Sequence, residues 1–111
     1  MNKRPYKKYW FTRRAIERLT GEIRPSVAYH IKRLEKYNAF DPTMRKRMSC
    51  VRQEGSHEVF RRIDLFDLFA LKIIAESYST VRAESVAKRC EEIIILNNNA
   101  DFNKIKTVII D

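Results

Sequence analysis

Residues 12–34 read TRRAIERLTGEIRPSVAYHIKRL. Two helical patterns flank a turn in this stretch. Thr12 suits a helix N-cap, because its hydroxyl can accept from a backbone N–H of the first turn. Behind it, Ala15, Ile16 and Leu19 fall at i, i+1 and i+4, on one face of a helix from Arg13 to Thr20. Gly21 ends that helix, since glycine takes the left-handed position after the last turn without a steric penalty. Glu22, Ile23 and Arg24 form the turn. Pro25 suits the first turn of a second helix, where its missing N–H is not needed. Ser26 beside it is another candidate cap. The second helix runs to about Tyr37. Val27, Ile31 and Leu34 lie at i, i+4 and i+7 and make its inner face. At about 100° per residue, Tyr29, Lys32, Arg33 and Lys36 collect on the opposite face.

Upstream, residues 1–9 form a basic arm with Lys3, Arg4, Lys7 and Lys8, and Pro5 keeps it from being helical throughout. Tyr9, Trp10 and Phe11 follow as an aromatic anchor, expected as a short strand or staple against the core. Downstream, Asn38 to Pro42 breaks the second helix. In Arg45 to Ile63, Met48, Cys50 and Arg52 alternate with Arg47, Ser49 and Val51, the period of a strand. Gln53-Glu54-Gly55-Ser56 reads as a turn, and His57 to Arg62 as the returning strand of a hairpin. Asp64 is the expected cap of a helix from Leu65 to Ser77. That helix is apolar over most of its circumference, so a neighbouring helix or another subunit is expected against it. A further amphipathic helix is expected from about Val81 to Leu96. The tail from Lys104 to Asp111 is a candidate terminal strand in need of an edge to pair with.

The 111 residues fit a single small domain. Residues 1–62 hold 17 Lys and Arg against 6 Asp and Glu, whereas residues 63–111 hold 6 against 8. The excess of positive charge therefore sits in the half that holds the helix pair and the hairpin. A basic half suits a polyanion, because each cation that neutralises a phosphate releases condensed counterions. The apolar half, residues 64–111, suits self-association. No apolar run reaches the roughly 18–20 residues that a membrane span needs. No apolar segment follows the basic N-terminus as a secretory signal requires. A cytoplasmic setting is expected. Cys50 and Cys90 match no metal-ligand spacing and read as reduced thiols, with a bridge between them left open.

Helix, tight turn, helix, basic hairpin and apolar helices follow in that order. The expected fold is therefore mainly α with a small β-hairpin, a winged helix-turn-helix followed by C-terminal helices. The physical requirement is a second helix gripped by its inner face while its outer face enters a major groove roughly 12 Å wide. On this reading Ser26, Ala28, Tyr29, Lys32 and Arg33 face base edges. Lys7, Lys8, Arg13, Arg14, Arg24, Lys36, Arg45, Lys46, Arg47, Arg52, Arg61 and Arg62 face the DNA backbone. The expected partner is double-stranded DNA, bound by a homodimer; no cofactor, metal or small-molecule substrate is expected. His30 lies at the flank of the inner face and reads as a structural histidine. HExxH, GxxxxGK[ST], CxxC and GxSxG are all missing from the sequence, and the carboxylates are scattered, so an enzyme is not expected.

Trp10-Phe11-Thr12, Ala15-Ile16, Leu19, Val27 and His30-Ile31 together resemble the N-terminal DNA-binding region of RhuM-type proteins from bacterial and phage genomes. That family shows a W-L-T opening, an A-E-L-F-type first helix and a V-x-x-H-I second helix. Gln53-Glu54-Gly55, Val59 and Arg61-Arg62-Ile63-Asp64-Leu65 are similar to its E-G-x-R-x-V-x-x-Y-x-L-D segment. The likeness runs from roughly Trp10 to Ile74. Leu19 departs from the family's Leu-Phe pair, and Glu76-Ser77-Tyr78-Ser79 only faintly echoes its G-Y-R-V-N-S signature. The resemblance implies a phage or mobile-element setting, in a bacterial or phage-infected cell, and DNA binding; the expectation built on it and on the basic and apolar halves is a dimeric transcriptional regulator. Arg61 to Leu71 also resembles MerR-like regulators, whose long dimerising coiled coil this chain lacks. The competing expectation is a phage-encoded inhibitor that docks on a host protein complex.

Overall fold

A computed structural model describes residues 3–111. The elements are β1 (Pro5–Thr12), α1 (Arg13–Thr20), α2 (Arg24–Lys36), a short 3-10 turn (Pro42–Met44), β2 (Arg45–Glu54), β3 (His57–Phe66), α3 (Leu68–Glu76), α4 (Val81–Asn97) and β4 (Asp101–Ile110). The fold is α/β, with one mixed, curled sheet in the strand order β2-β3-β1-β4. A mainly α chain with a small hairpin is thereby corrected. The cause is long-range pairing. The basic arm, lengthening the short strand expected at Tyr9–Phe11, hydrogen-bonds to the tail, the candidate terminal strand, as β1 and β4 in parallel, from Tyr6 beside Ile105 to Phe11 beside Ile110.

The sheet is two ribbons joined at a corner. β2 and β3 form an antiparallel hairpin in unbroken register from Arg45 opposite Phe66 to Glu54 opposite His57. β1 and β3 meet only at Phe11 opposite Phe66 and Thr12 opposite Leu65. Gly55 turns the hairpin at φ 62°, a conformation that residues with a Cβ adopt at a cost. The hairpin is longer than the sequence suggests. Its returning strand runs on to Phe66, because Phe66 is fully buried and held between Phe11 and Arg45 in the sheet. Asp64 consequently lies within β3, and the cap of α3 is Asp67, whose carboxylate accepts from the Ala70 N–H at 2.9 Å.

The helix pair forms where the pattern places it. Thr12 Oγ1 accepts from the Ala15 N–H at 3.1 Å, and Gly21 closes α1 at φ 73°. Arg24 belongs to α2 rather than to the turn. Ile23 holds the cap position of α2 with no side-chain hydrogen bond, so Ser26 does not cap. Ile16, Val27, Ile31, Phe66, Leu71 and Ile74 are the largest fully buried side chains of one cluster, which also holds Phe11. Each contributes roughly 1.5–3 kcal/mol relative to exposure. This cluster accounts for the girth of α3: Leu68, Ala70, Leu71 and Ile74 are buried in it, and Ala75 packs with Ala83 and Ala87 of α4. A neighbouring helix, α4, packs against the Ala75 side of α3, and Phe69 keeps 43 % of its surface in water. Among the described residues, no helix is long and apolar enough to cross a membrane.

Candidate nucleic-acid interface

α2 is gripped from one side only. Val27 and Ile31 are buried, while Tyr29, Lys32, Arg33 and Lys36 are exposed on the other side. Tyr29 keeps 63 % of its surface in water, more than a packing role at the helix edge would leave. Beside α2, an open groove of about 880 Å³ separates the helix pair from the hairpin. Arg13 and Arg14 of α1, Arg24 and Ala28 of α2, and Arg52, Arg61 and Arg62 of the hairpin line it. Ala28 therefore faces the groove wall rather than the exposed face that carries Tyr29.

Ion pairing divides the expected phosphate contacts into two sets. Among the described residues, Lys7, Arg14, Arg24, Lys32, Arg33, Lys36, Lys46 and Arg62 make no ion pair. The others are engaged within the protein. Lys8 pairs with Asp67 at 3.1 Å, Arg13 and Arg47 share Asp64 at 3.2 and 3.0 Å, and Arg52 and Arg61 flank Glu54 at 4.0 and 3.3 Å. Arg45 pairs with Glu35 at 2.6 Å and lies over the rings of Phe40 and Phe66. It ties the end of α2 to the sheet, so it reads as a fold residue rather than a phosphate contact. Lys8 and Lys46 sit 4.9 and 4.5 Å from the Trp10 ring centroid, a cation–π arrangement that holds both stems against β1.

Ser26 does not face the same way as Tyr29. Its hydroxyl lies 2.9 Å from the Tyr78 hydroxyl and within 3.5 Å of Glu22. The Tyr78 ring stacks on His30 at 3.8 Å, and His30 Nδ1 lies 2.8 Å from the Ser77 hydroxyl. This polar seam fastens α2 to the end of α3, which gives His30 the structural role expected of it. Desolvation holds the His30 pKa below its ordinary value, with a further lowering from Arg33 against a raising effect of Glu22. Tyr78 is held above its ordinary value by burial. Both cysteines are free, and burial pushes the Cys90 thiol up to about 12, so it is inert as a nucleophile.

Two residues behind this face escape sequence reasoning. Arg82 of α4 donates to the carbonyls of Leu19 and Arg18 at 3.0 and 2.7 Å, satisfying the end of α1. Asp111 accepts from the Thr12 hydroxyl at 2.8 Å, and its carbonyl accepts from Arg18. Both contacts cross the chain and leave no local signature. An exposed pair on the hairpin, Val51 opposite Phe60, was equally unmarked; Phe60 keeps 72 % of its surface in water. No protein-family model matches this chain, and no curated protein or solved structure matches it either.

Proposed function

We propose that this chain is a sequence-specific double-stranded DNA-binding protein, a transcriptional regulator that acts as a dimer. One observation carries the reading. α2 is buried along Val27 and Ile31, and its opposite face presents Tyr29, Lys32 and Arg33 to solvent, neither cation making an ion pair among the described residues. Such a face can enter a major groove, where Lys and Arg reach guanine O6 and N7. Arg14 and Arg24, at the starts of α1 and α2, and Arg62 of the hairpin then meet the flanking phosphates. A mobility shift on a pool of random duplexes, followed by sequencing of the bound fraction and repeated at two salt concentrations, tests the reading. Enrichment of one motif with salt-sensitive affinity is expected; no shift at low salt would sink it. A docking role on a host protein is favoured by Phe60 and Val51, whose exposed pair has nothing to do with phosphates. A stoichiometric host partner that survives nuclease treatment and is lost in Phe60→Ser would favour that second reading.

A further inference from the structure

We infer that a pocket at the open edge of β1 binds a pyrimidine base. The pocket holds about 160 Å³ and is built by β1, α3, α4 and β4. The α2 face takes no part in it, so the site stands whether or not a duplex binds there. β1 is an inner strand by order, yet it meets β3 only at Phe11 and Thr12, and no strand pairs the rest of that edge. Hydrogen bonds show which residues turn toward the gap. Arg4 C=O accepts from the Asp101 N–H at 2.8 Å, so the even residues of β1 turn their backbone groups to β4 and the odd ones turn theirs away. Of the odd residues, Phe11 is set against Phe66 of β3, and the Lys7 carbonyl accepts from the Asn97 side chain at 3.3 Å. Between them, the N–H and C=O of Tyr9 point into the gap and meet no protein group among the described residues. Backbone groups so placed seek a partner.

The lining decides the occupant. The free edge between Asn97 and Phe66 is too short for an added strand, so a small molecule fits and an extended peptide does not. Tyr6 and Phe102 stack at 5.0 Å and line the pocket with Tyr9, Leu68, Phe69 and Ile94. Aromatic walls hold a flat ring, and an apolar cavity of roughly 150 Å³ admits one benzene. The polar groups argue against a plain hydrocarbon ring. The N–H and C=O of one residue, side by side, ask for an acceptor beside a donor. Cytosine offers N3 beside its N4 amino group, and uracil offers O4 beside N3–H. Proteins read unpaired bases through such edges while stacking them on aromatic side chains. Lys8 lines the pocket while bound to Asp67 at 3.1 Å, and its ammonium has donors left for the O2 carbonyl of either base. The Asp67 carboxylate, 2 % exposed in the same wall, disfavours an anionic ring such as benzoate.

The test is a nuclear magnetic resonance titration of the full chain with cytidine, uridine, adenosine and benzoate. Cytidine or uridine is expected to shift the Tyr9 and Phe69 amide signals saturably, and benzoate is expected to leave them in place. Phe102→Ala and Phe69→Ala, both at exposed side chains, are each expected to weaken that binding at least tenfold with an unchanged circular dichroism spectrum. No saturable shift with either pyrimidine nucleoside overturns the site. So does an equal response to benzoate or adenosine, or binding indifferent to both variants. A free nucleoside and an unpaired base in a strand share this chemistry. A short oligodeoxycytidylate that binds at least tenfold tighter than cytidine, and loses that binding in Phe102→Ala, supports the site with a single strand as its source. An oligonucleotide no tighter than cytidine supports it with the free nucleoside as its source. Random duplexes that fail to shift sink the DNA reading and leave this site standing.

Discussion

The side chain of Arg82 lies across Gly21. Its guanidinium bonds the carbonyls of Arg18 and Leu19, and a Cβ built on Gly21 would stand 3.1 Å from Arg82 Cδ. The turn between α1 and α2 is therefore closed from outside by a helix far along the chain. Gly21 faces two demands at once, a left-handed backbone and room for Arg82. Gly21→Ala is expected to cost about 1–2 kcal/mol from the backbone alone, read as a lower urea midpoint. In an Arg82→Ala background the same change should cost less, because the contact is gone. Equal costs in both backgrounds would show that Arg82 adds nothing at this turn.

Asp67 serves two partners. It caps α3 through the Ala70 N–H and pairs with Lys8 while only 2 % exposed. Asp67→Ala removes both and leaves a half-buried lysine beside an uncapped helix. The loss of the cap alone is about 1 kcal/mol. Asp67→Asn keeps an accepting oxygen for the cap, so its melting temperature is expected to fall between wild type and Asp67→Ala. An Asn variant as unstable as the Ala variant would assign the stability to the ion pair instead.

Arg33 and Arg45 carry the same charge and divide by role. Arg33 is exposed and unpaired, while Arg45 is locked to Glu35, Phe40 and Phe66. Arg33→Ala is expected to leave the melt unchanged and to flatten sequence preference by roughly 1–3 kcal/mol at one base position. Arg14→Ala and Arg62→Ala should weaken all duplexes alike and lower the salt slope by about one each. Arg45→Ala should lower stability and leave the DNA affinity of the folded fraction as it was. A stable Arg45→Ala protein that loses affinity uniformly would return Arg45 to the phosphate contacts.

His30 makes stability depend on pH. Its folded pKa lies below its ordinary value of 6.5, chiefly from desolvation. The unfolded chain thus takes up the proton first, and stability rises with pH across that window. Its contribution is whole above about 6.5 and is lost as pH falls through the folded value. Urea titrations at pH 5 to 8 should show this slope in wild type and a flatter one in His30→Gln. Identical slopes would place the dependence on other groups.

The helix pair was legible because its signals are local. Thr12, Gly21 and the spacing of Val27 and Ile31 act within a few residues of where they stand. Asp64 and Asp67 show where that legibility stops. Both are good caps by type, and only the pairing of Phe66 with Phe11 and Arg45 carries the strand past Asp64. β1 and β4 were harder still. The tail was readable as a strand and the basic arm was not, and neither shows locally that the other is its parallel partner. At the candidate interface, the exposed face of α2 followed from periodicity. The inward turn of Ser26 and the internal ion pairs of Lys8, Arg13 and Arg45 depended on partners from distant elements.

The parallel union of β1 with β4 has a consequence during synthesis. α1, α2 and the hairpin draw on neighbours that leave the ribosome soon after them. β1 has only two ladder positions on β3 until residues 101–110 follow it out. Tyr6, Lys7 and Lys8 then wait unpaired through most of translation, and the sheet closes last, as late formation of distant contacts requires.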